Sequence, residues 1–320
     1  MFAKTIRVLA PALALAAGML GLFAVMLALG VNTVSFGFLI GLPVIAGCVI
    51  LHFRPAGTFR SFGGALVWLV GISLLSVLGS LVSGLEGLIC VAMAIVPIII
   101  GTLVGGVIYL TAQRWLSGRH SSLKIITLPV LALFMLDMLP TQPRTYLISN
   151  SIVIDAPVAM VFDMLKTIPD IAANEIPTRA SHLLGVPKPT HAIWQEGPDA
   201  TVRHSHWGEH VHFREHITAI DSNRRIEWTF AFPDGWAAEG IEDPHITVGG
   251  RYFNVLSGGY TLDELAGKTR LTLHTRTYDN SNLGAYAKFW HRFFFEDFHE
   301  VILILIKSRA EKRQIALSAR

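Results

Sequence analysis

The chain has 320 residues, 52% of them hydrophobic and 15% charged, with a formal net charge of +3. Soluble domains carry about 25% charged residues, so part of this chain is expected in lipid. Residues 1–140 hold nine charged side chains, whereas residues 145–320 hold 18 Lys/Arg against 21 Asp/Glu, so the positive surplus lies between apolar runs and nucleic acid is excluded as an expected partner.

The first half reads as a membrane module over residues 1–140. Crossing about 30 Å of hydrocarbon takes roughly 17 to 25 apolar residues in a helix, where every backbone polar group is paired without water. Five runs meet that expectation: Val8 to Leu29, Val34 to Phe53, Ala65 to Val82, Leu88 to Ala112 and Leu123 to Leu139. The first is too long for a cleaved leader and is read as an uncleaved anchor. Lys4, Arg7, Arg54, Arg60, Arg114, Arg119 and Lys124 all fall in alternate loops. Cytoplasmic loops carry the positive excess, so the N-terminus is expected in the cytoplasm. With five crossings of a bacterial inner membrane, the second half is periplasmic; if the fifth run lies along the surface, it is cytoplasmic. Gly18, Gly21, Gly41, Gly47, Gly101 and Gly105 suit close helix packing. The ionisable groups Asp137, Glu86 and His52 sit at run ends, as in an anchor without a transport path. Cys48 and Cys90 both lie in apolar runs, so no disulfide framework is expected.

A linker over residues 141–145 leads to a soluble module over residues 146–320. YLISNSIVID alternates as a strand does. A helix follows, with Asp155 as the expected N-cap, Pro157 in the first turn and Val158, Val161, Phe162, Leu165 and Ile168 at helical spacing up to Pro169. The period then becomes two through a series of strands separated by turn residues. A final helix is predicted from about Leu283 to Leu317, with a broad apolar face. The fold class is therefore α+β: a bundle of about five membrane helices, then a curved antiparallel sheet on one long helix. Such a helix is expected to leave a cavity against the sheet.

Residues 146–320 resemble the START-like, or SRPBCC, helix-grip superfamily, which includes the polyketide cyclase/dehydrase-like proteins. The resemblance is carried by IDAPVAMVFDMLKTIPDI, by ITAIDSNRRIEWTF, and by GKTRLTLHTRTY followed by the helix with LILIKSRAE. It covers slightly more than half the chain. It implies a cavity for a lipid, sterol or other hydrophobic ligand, with catalysis in a minority of members and no universal catalytic residue. The segments Ile176 to His191 and Asp234 to His245 are longer than the family's usual connections and are candidate lids.

Residues 204–216 read HSHWGEHVHFREH, ending in H-x-x-E-H. That motif holds a protease metal only on a helix, and here the pattern is strand: His212 and His216 point one way and Glu215 the other. A two-residue turn at Gly208-Glu209 would pair Trp207 with His210 and His206 with Val211. Val202, His204, His206, Val211, Phe213, Glu215 and Ile217 then share the concave face. Arg203, Ser205, Trp207, His210, His212, Arg214 and His216 share the solvated one, a polar surface with a loosely held zinc as its sharper alternative. His204, His206 and Glu215 are thus candidates to orient a ligand's polar head, with Trp228, Phe230, Tyr252, Tyr260, Trp290 and Phe294 lining the rest; the alternative is that the three polar groups pair among themselves. Glu296 to His299 is read as the polar edge of the last helix, since a di-iron site needs two E-x-x-H copies.

Neither a metal nor a cofactor is expected. The leading reading is a membrane-anchored carrier or sensor for a hydrophobic small molecule or lipid. The alternatives are a cyclase/dehydrase-type enzyme, with His204 or His206 as base and Glu215 as acid, and a structural domain that docks a protein partner.

Overall fold

The structure is a computed structural model and describes residues 13–21, 23–25, 28, 34–54, 61–115, 135, 137, 140–238, 241–242 and 245–319. The chain divides into two compact units, one dominated by Met1–Gln142 and the other made of Pro143–Glu242, Ile246–Asn280 and Gly284–Arg320.

In the first unit a π turn, Gly37–Gly41, runs into helix α1, Leu42–His52; α2 spans Phe62–Val82 and α3 Leu88–Trp115. Among the described residues, α2 and α3 are long and apolar enough to cross a membrane. This corrects the expectation of about five crossings. The second run yields only Gly37–His52, shorter than the roughly 20 residues a crossing needs, because the helix ends at Phe53 ahead of Arg54. The first run is helical over residues 13–21 and 23–25 but passes through undescribed positions. The fifth run, apart from Met135 and Asp137, lies outside the described residues.

Glycine sets the spacing of α1 and α3. A Cβ on Gly47 would strike the backbone of Thr102, one on Gly105 the backbone of Val44, and one on Gly101 the ring of Pro43. Only a missing side chain allows that approach, and the Cys48 thiol uses it to donate to the Gly105 carbonyl at 3.0 Å. Asp137 accepts from the backbone N–H groups of Phe36 and Gly37, at 2.8 and 2.6 Å, at the start of the helical stretch, where unpaired donors and the helix dipole favour an anion.

The second unit opens with strand β1, Arg144–Ile154, and helix α4, Val158–Lys166. Pro157, not Asp155, is the N-cap of α4. Pro157 is extended, so the helix starts two residues later than Asp155 could cap it, and Asp155 pairs instead with Lys268 at the surface. A short helix α5, Ala180–Leu183, precedes β2, Pro189–Glu196; then come β3, Thr201–Trp207; β4, Val211–Asp221; β5, Arg225–Ala231; β6, Phe253–Leu265; and β7, Lys268–Asp279. Helix α6, Ala285–Ser318, closes the unit. The seven strands form one antiparallel sheet in the order β1-β7-β6-β5-β4-β3-β2. Ala266 and Gly267 both have positive φ in the two-residue turn joining β6 to β7, the geometry that matches strand twist.

The core lies between α4, the sheet and the C-terminal half of α6, where Leu165, Ile226, Leu271, Leu305 and Ile306 are fully buried. A seven-stranded antiparallel sheet with one long C-terminal helix across it fits the helix-grip arrangement, and the α+β class holds for this unit. Within the sheet, Gly258 sits opposite Trp228, and a Cβ there would meet the indole at 2.8 Å. Over-packing of this kind costs about 1–3 kcal/mol. Gly258→Ala is expected to lower the urea midpoint of this unit accordingly, and an unchanged midpoint would show the indole is free to move.

Candidate ligand-binding site

The β3–β4 hairpin decides which side chains face the helix. Its loop has three residues, Gly208, Glu209 and His210, and Trp207 pairs with Val211. The loop is held from outside itself: Gly208, at φ 58°, donates to the Lys188 carbonyl at 2.8 Å, and the His210 carbonyl accepts from Ala238 at 3.1 Å. One extra residue over the expected two-residue turn shifts β3 by one position, and a one-residue shift inverts every side chain of a strand. Arg203, Ser205 and Trp207 therefore face inward, while His204 and His206 face outward; β4 keeps the expected sense, with Val211, Phe213 and Glu215 inward.

The polar group expected from His204, His206 and Glu215 is thus not assembled. In its place Glu215 and Arg203 stand directly opposite each other, 5% and 3% exposed, as a buried ion pair. The Arg203 guanidinium also donates to the Leu165 carbonyl at 2.6 Å, in the last turn of α4, and lies over the rings of Trp228 at 4.7 Å and Tyr260 at 5.3 Å. Burial works against its charge, but the Glu215 carboxylate and the Tyr260 hydroxyl outweigh it and hold the guanidinium above its ordinary pKa. This pairing also removes the acid from the cyclase/dehydrase scheme: Glu215 is tied to a cation, and the two candidate bases lie on the other face of the sheet.

On that outer face His191, His206 and His212 form a row across β2, β3 and β4, their ring centroids 4.3 and 5.9 Å apart and nearly parallel. Burial, and then the neighbouring histidines His191 and His212, push the His206 pKa down. Among the described residues no group of three His, Cys, Asp or Glu is arranged to hold a metal.

The aromatic candidates separate into core and opening. Trp228 and Tyr260 are 2% and 3% exposed and packed into the core, so they offer a ligand almost no surface, contrary to the expectation that they line a cavity. Phe230, Phe294 and Trp290 are half-buried and belong to a continuous tract. From α6 into the sheet, neighbouring centroids along Trp290, Phe294, Phe298, Trp207, Phe213 and Phe230 are between 5.2 and 6.4 Å apart. Phe213 also meets Phe232, which Trp236 covers at 4.9 Å. Tyr252 stands apart, beneath Arg251 at the entry to β6. Trp207, placed on the solvated face by the two-residue turn, and Phe298 are the members that sequence reasoning missed. A separate cleft of about 240 Å³ opens between α4 and α6, lined by Asp163, Met164, Thr167, Arg309 and Arg313 among others.

Both long connections are fastened. Ser181 N–H donates to Asp297 at 2.9 Å and Arg179 pairs with Glu300 at 2.5 Å, which straps the first across α6. The second is tied to β4 by the His212 N–H to Trp236 carbonyl bond, 2.7 Å, and internally by the Trp236 indole N–H to Glu242 at 3.1 Å. Glu296 is on the polar edge of α6, paired with Arg292, but His299 is not: it is 2% exposed. Its Nδ1–H donates to Asn150 at 2.9 Å and its Nε2 accepts from Thr275 at 2.8 Å; one turn-pair earlier, His291 bonds Thr277 at 2.7 Å.

No protein-family model and no curated protein matches the chain. Among solved structures, it is similar to the di-domain ARO/CYC BexL from the BE-7585A biosynthetic pathway, at 16% identity and a TM-score of 0.35, over 65% of this chain and 61% of that one. The Zhui aromatase/cyclase from Streptomyces sp. R1128 is similar at 15% identity and 0.35, over 53% and 96%. The Aha1 dimer from Colwellia psychrerythraea is similar at 15% and 0.27, over 52% and 96%. At these levels no activity or ligand carries over.

Two measurements probe the polar interior. Removing one partner of a buried pair leaves a bare charge and costs about 3–5 kcal/mol, whereas an apolar replacement of both is close to neutral. Glu215→Leu is therefore expected to lower unfolding free energy sharply and Arg203→Met/Glu215→Leu to recover most of it. Burial lowers the pKa of His291 to about 4 and of His299 to about 3, against about 6.5 in an unfolded chain. As pH falls below about 6.5 the unfolded chain takes up protons that the folded one refuses, so stability drops until the folded values are reached, by up to about 1.4 kcal/mol per pH unit per histidine. His291→Asn is expected to flatten part of that slope in thermal melts between pH 7 and 4.

Proposed function

We propose that this chain is a membrane-held binder of a hydrophobic small molecule or lipid, a carrier or sensor, whose ligand lies against the half-buried aromatic tract between the N-terminal half of α6 and strands β3 to β5. The observation that carries the reading is that tract itself: aromatic rings ordinarily complete a core, and here six of them in sequence stop short of burial. Rings that offer a face to an oily molecule gain from offset stacking as well as from area. The candidate contacts are Phe230, Phe294 and Trp290, with Trp207, Phe213 and Phe298. The ion pair of Arg203 and Glu215 is saturated within the protein and serves as the floor beneath them.

Membrane attachment is supported by α2 and α3, which have the length and apolarity to cross. The domain division into residues 1–140, a linker and 146–320 is supported by the break between compact units at Gln142 and Pro143. The Lys/Arg bias of the short loops favours a cytoplasmic N-terminus, with the binding unit on the periplasmic side of an inner membrane if the crossings are odd in number. A tether of this kind lets a weak binder stay loaded, because the bilayer supplies its ligand at high local concentration.

The test is native mass spectrometry of the full chain released from detergent. An apolar adduct at one copy per chain is expected to survive delipidation. Losing one ring contact removes about 1.5–3 kcal/mol, so Phe213→Ala and Phe298→Ala should each weaken affinity about tenfold or more and visibly lower the adduct fraction. A wild-type chain that emerges without an adduct, or an adduct indifferent to both substitutions, would overturn the proposal.

A further inference from the structure

The outer end of the aromatic tract does not finish in a closed wall. Helix α6 begins AYAKFWHRFFF, residues 285–295: six aromatic rings and the cations Lys288 and Arg292, with no carboxylate before Glu296. Two of the eleven, His291 and Phe295, turn inward and are buried. Phe289 points away from the core and is 57% exposed, with Lys288 and Arg292 exposed beside it. Phe289, Trp290 and Phe293 pack as a group, with centroids 5.2 to 6.3 Å apart, so the exposed ring is backed by others on the same stripe. Farther along that stripe come Glu296, Asp297 and Glu300: Asp297 and Glu300 are engaged by the strap, and Glu296 pairs with Arg292 at the exposed surface, a contact that lipid phosphate would have to compete with. The first three turns therefore present aromatic and positive groups together, while the helix's acids lie beyond them.

We infer that this face of α6 docks on the surface of an anionic phospholipid bilayer, with Phe289 and Trp290 seated at the headgroup and acyl boundary and Lys288 and Arg292 against lipid phosphates. The amphipathic indole of Trp290 favours that depth and the phenyl of Phe289 gains by burial beside it, while cations at the surface of an anionic leaflet gain about 1 kcal/mol each. A bilayer offers phosphates and an acyl boundary side by side, which matches cations set beside exposed rings better than an acidic soluble surface does. The inference rests on the membrane-held reading above and adds the route: Trp290 belongs both to the docking face and to the tract leading to Phe230, so ligand passes along the rings between lipid and interior without crossing water.

The test uses the full chain with Cys48→Ser and Cys90→Ser, reconstituted in nanodiscs of phosphatidylcholine and phosphatidylglycerol and carrying a nitroxide at Phe289→Cys or, as a control near the far end of α6, at Lys312→Cys. Docking predicts that the label at 289 is accessible to oxygen but shielded from a water-soluble nickel chelate, while the label at 312 meets the chelate freely. Lys288→Gln/Arg292→Gln should shift the docked-to-undocked ratio by about 30-fold, as should discs of phosphatidylcholine alone. Equal chelate access at the two labels overturns the inference. So does spin–spin broadening at 289 that vanishes on dilution with unlabelled chain, since the cover would then be a second copy. Phe298→Ala separates the two readings: shielding at 289 that persists when the tract is disabled supports docking on its own, and shielding that disappears with it means that the label reports ligand loading and overturns docking.

Discussion

A guanidinium buried against a carboxylate and over two aromatic rings is the constraint on which the second unit turns. Isolated charges do not survive in such surroundings; they persist only when paired and hydrogen-bonded. Arg203 meets that requirement with four elements at once: Glu215 on the adjacent strand β4, the Leu165 carbonyl at the end of α4, and the faces of Trp228 and Tyr260 on β5 and β6. The pair can be satisfied only if β3 and β4 are in the observed register. It therefore fixes the sense of the hairpin more stringently than apolar side chains could, since those tolerate sliding.

From that register the rest of the aromatic face follows. With Arg203 inward, Trp207 is inward too, and it completes the bridge between Phe298 on the helix and Phe213 on the sheet. Had the hairpin turned in two residues, histidines would occupy those places and the tract would be broken at its middle. The interior is thus divided along its length. One end is solid and polar-braced, and the other is a stack of half-buried rings. The buried histidines His291 and His299 hold the helix to β7 and β1 in their neutral form, which leaves the aromatic side of the same helix free of that task.

Much of this was legible in the sequence. The alternation of β1, the helix from Val158, the run of strands and the long final helix were all readable, the last to within two residues of its start and one of its end. What periodicity could not supply was the loop length at Gly208, because Gly208-Glu209 and Gly208-Glu209-His210 both make acceptable turns locally. The choice is made by the Lys188 and Ala238 backbones, 20 or more residues away in sequence. For the same reason Phe230 on β5 and Phe294 and Trp290 on α6 could be named from spacing while Trp207 could not. In the first unit, composition revealed apolar runs but not how much of each is one helix, and Gly37–His52 fell short of a crossing.

The pairing of β1 with β7 has a consequence for synthesis. The N–H of Asp155, at the end of β1, meets Glu311 on α6, 156 positions downstream. The first strand of the unit thus waits for the last strand and the last helix before its own partners exist, and contacts this distant in sequence form slowly because the intervening chain must be ordered first. Until α6 emerges, the inner face of the sheet lies bare. Nascent chains of this protein therefore pass through an interval, from the first strands until α6 is made, as an uncovered, sticky half-shell, and the apolar first half is already made when it begins.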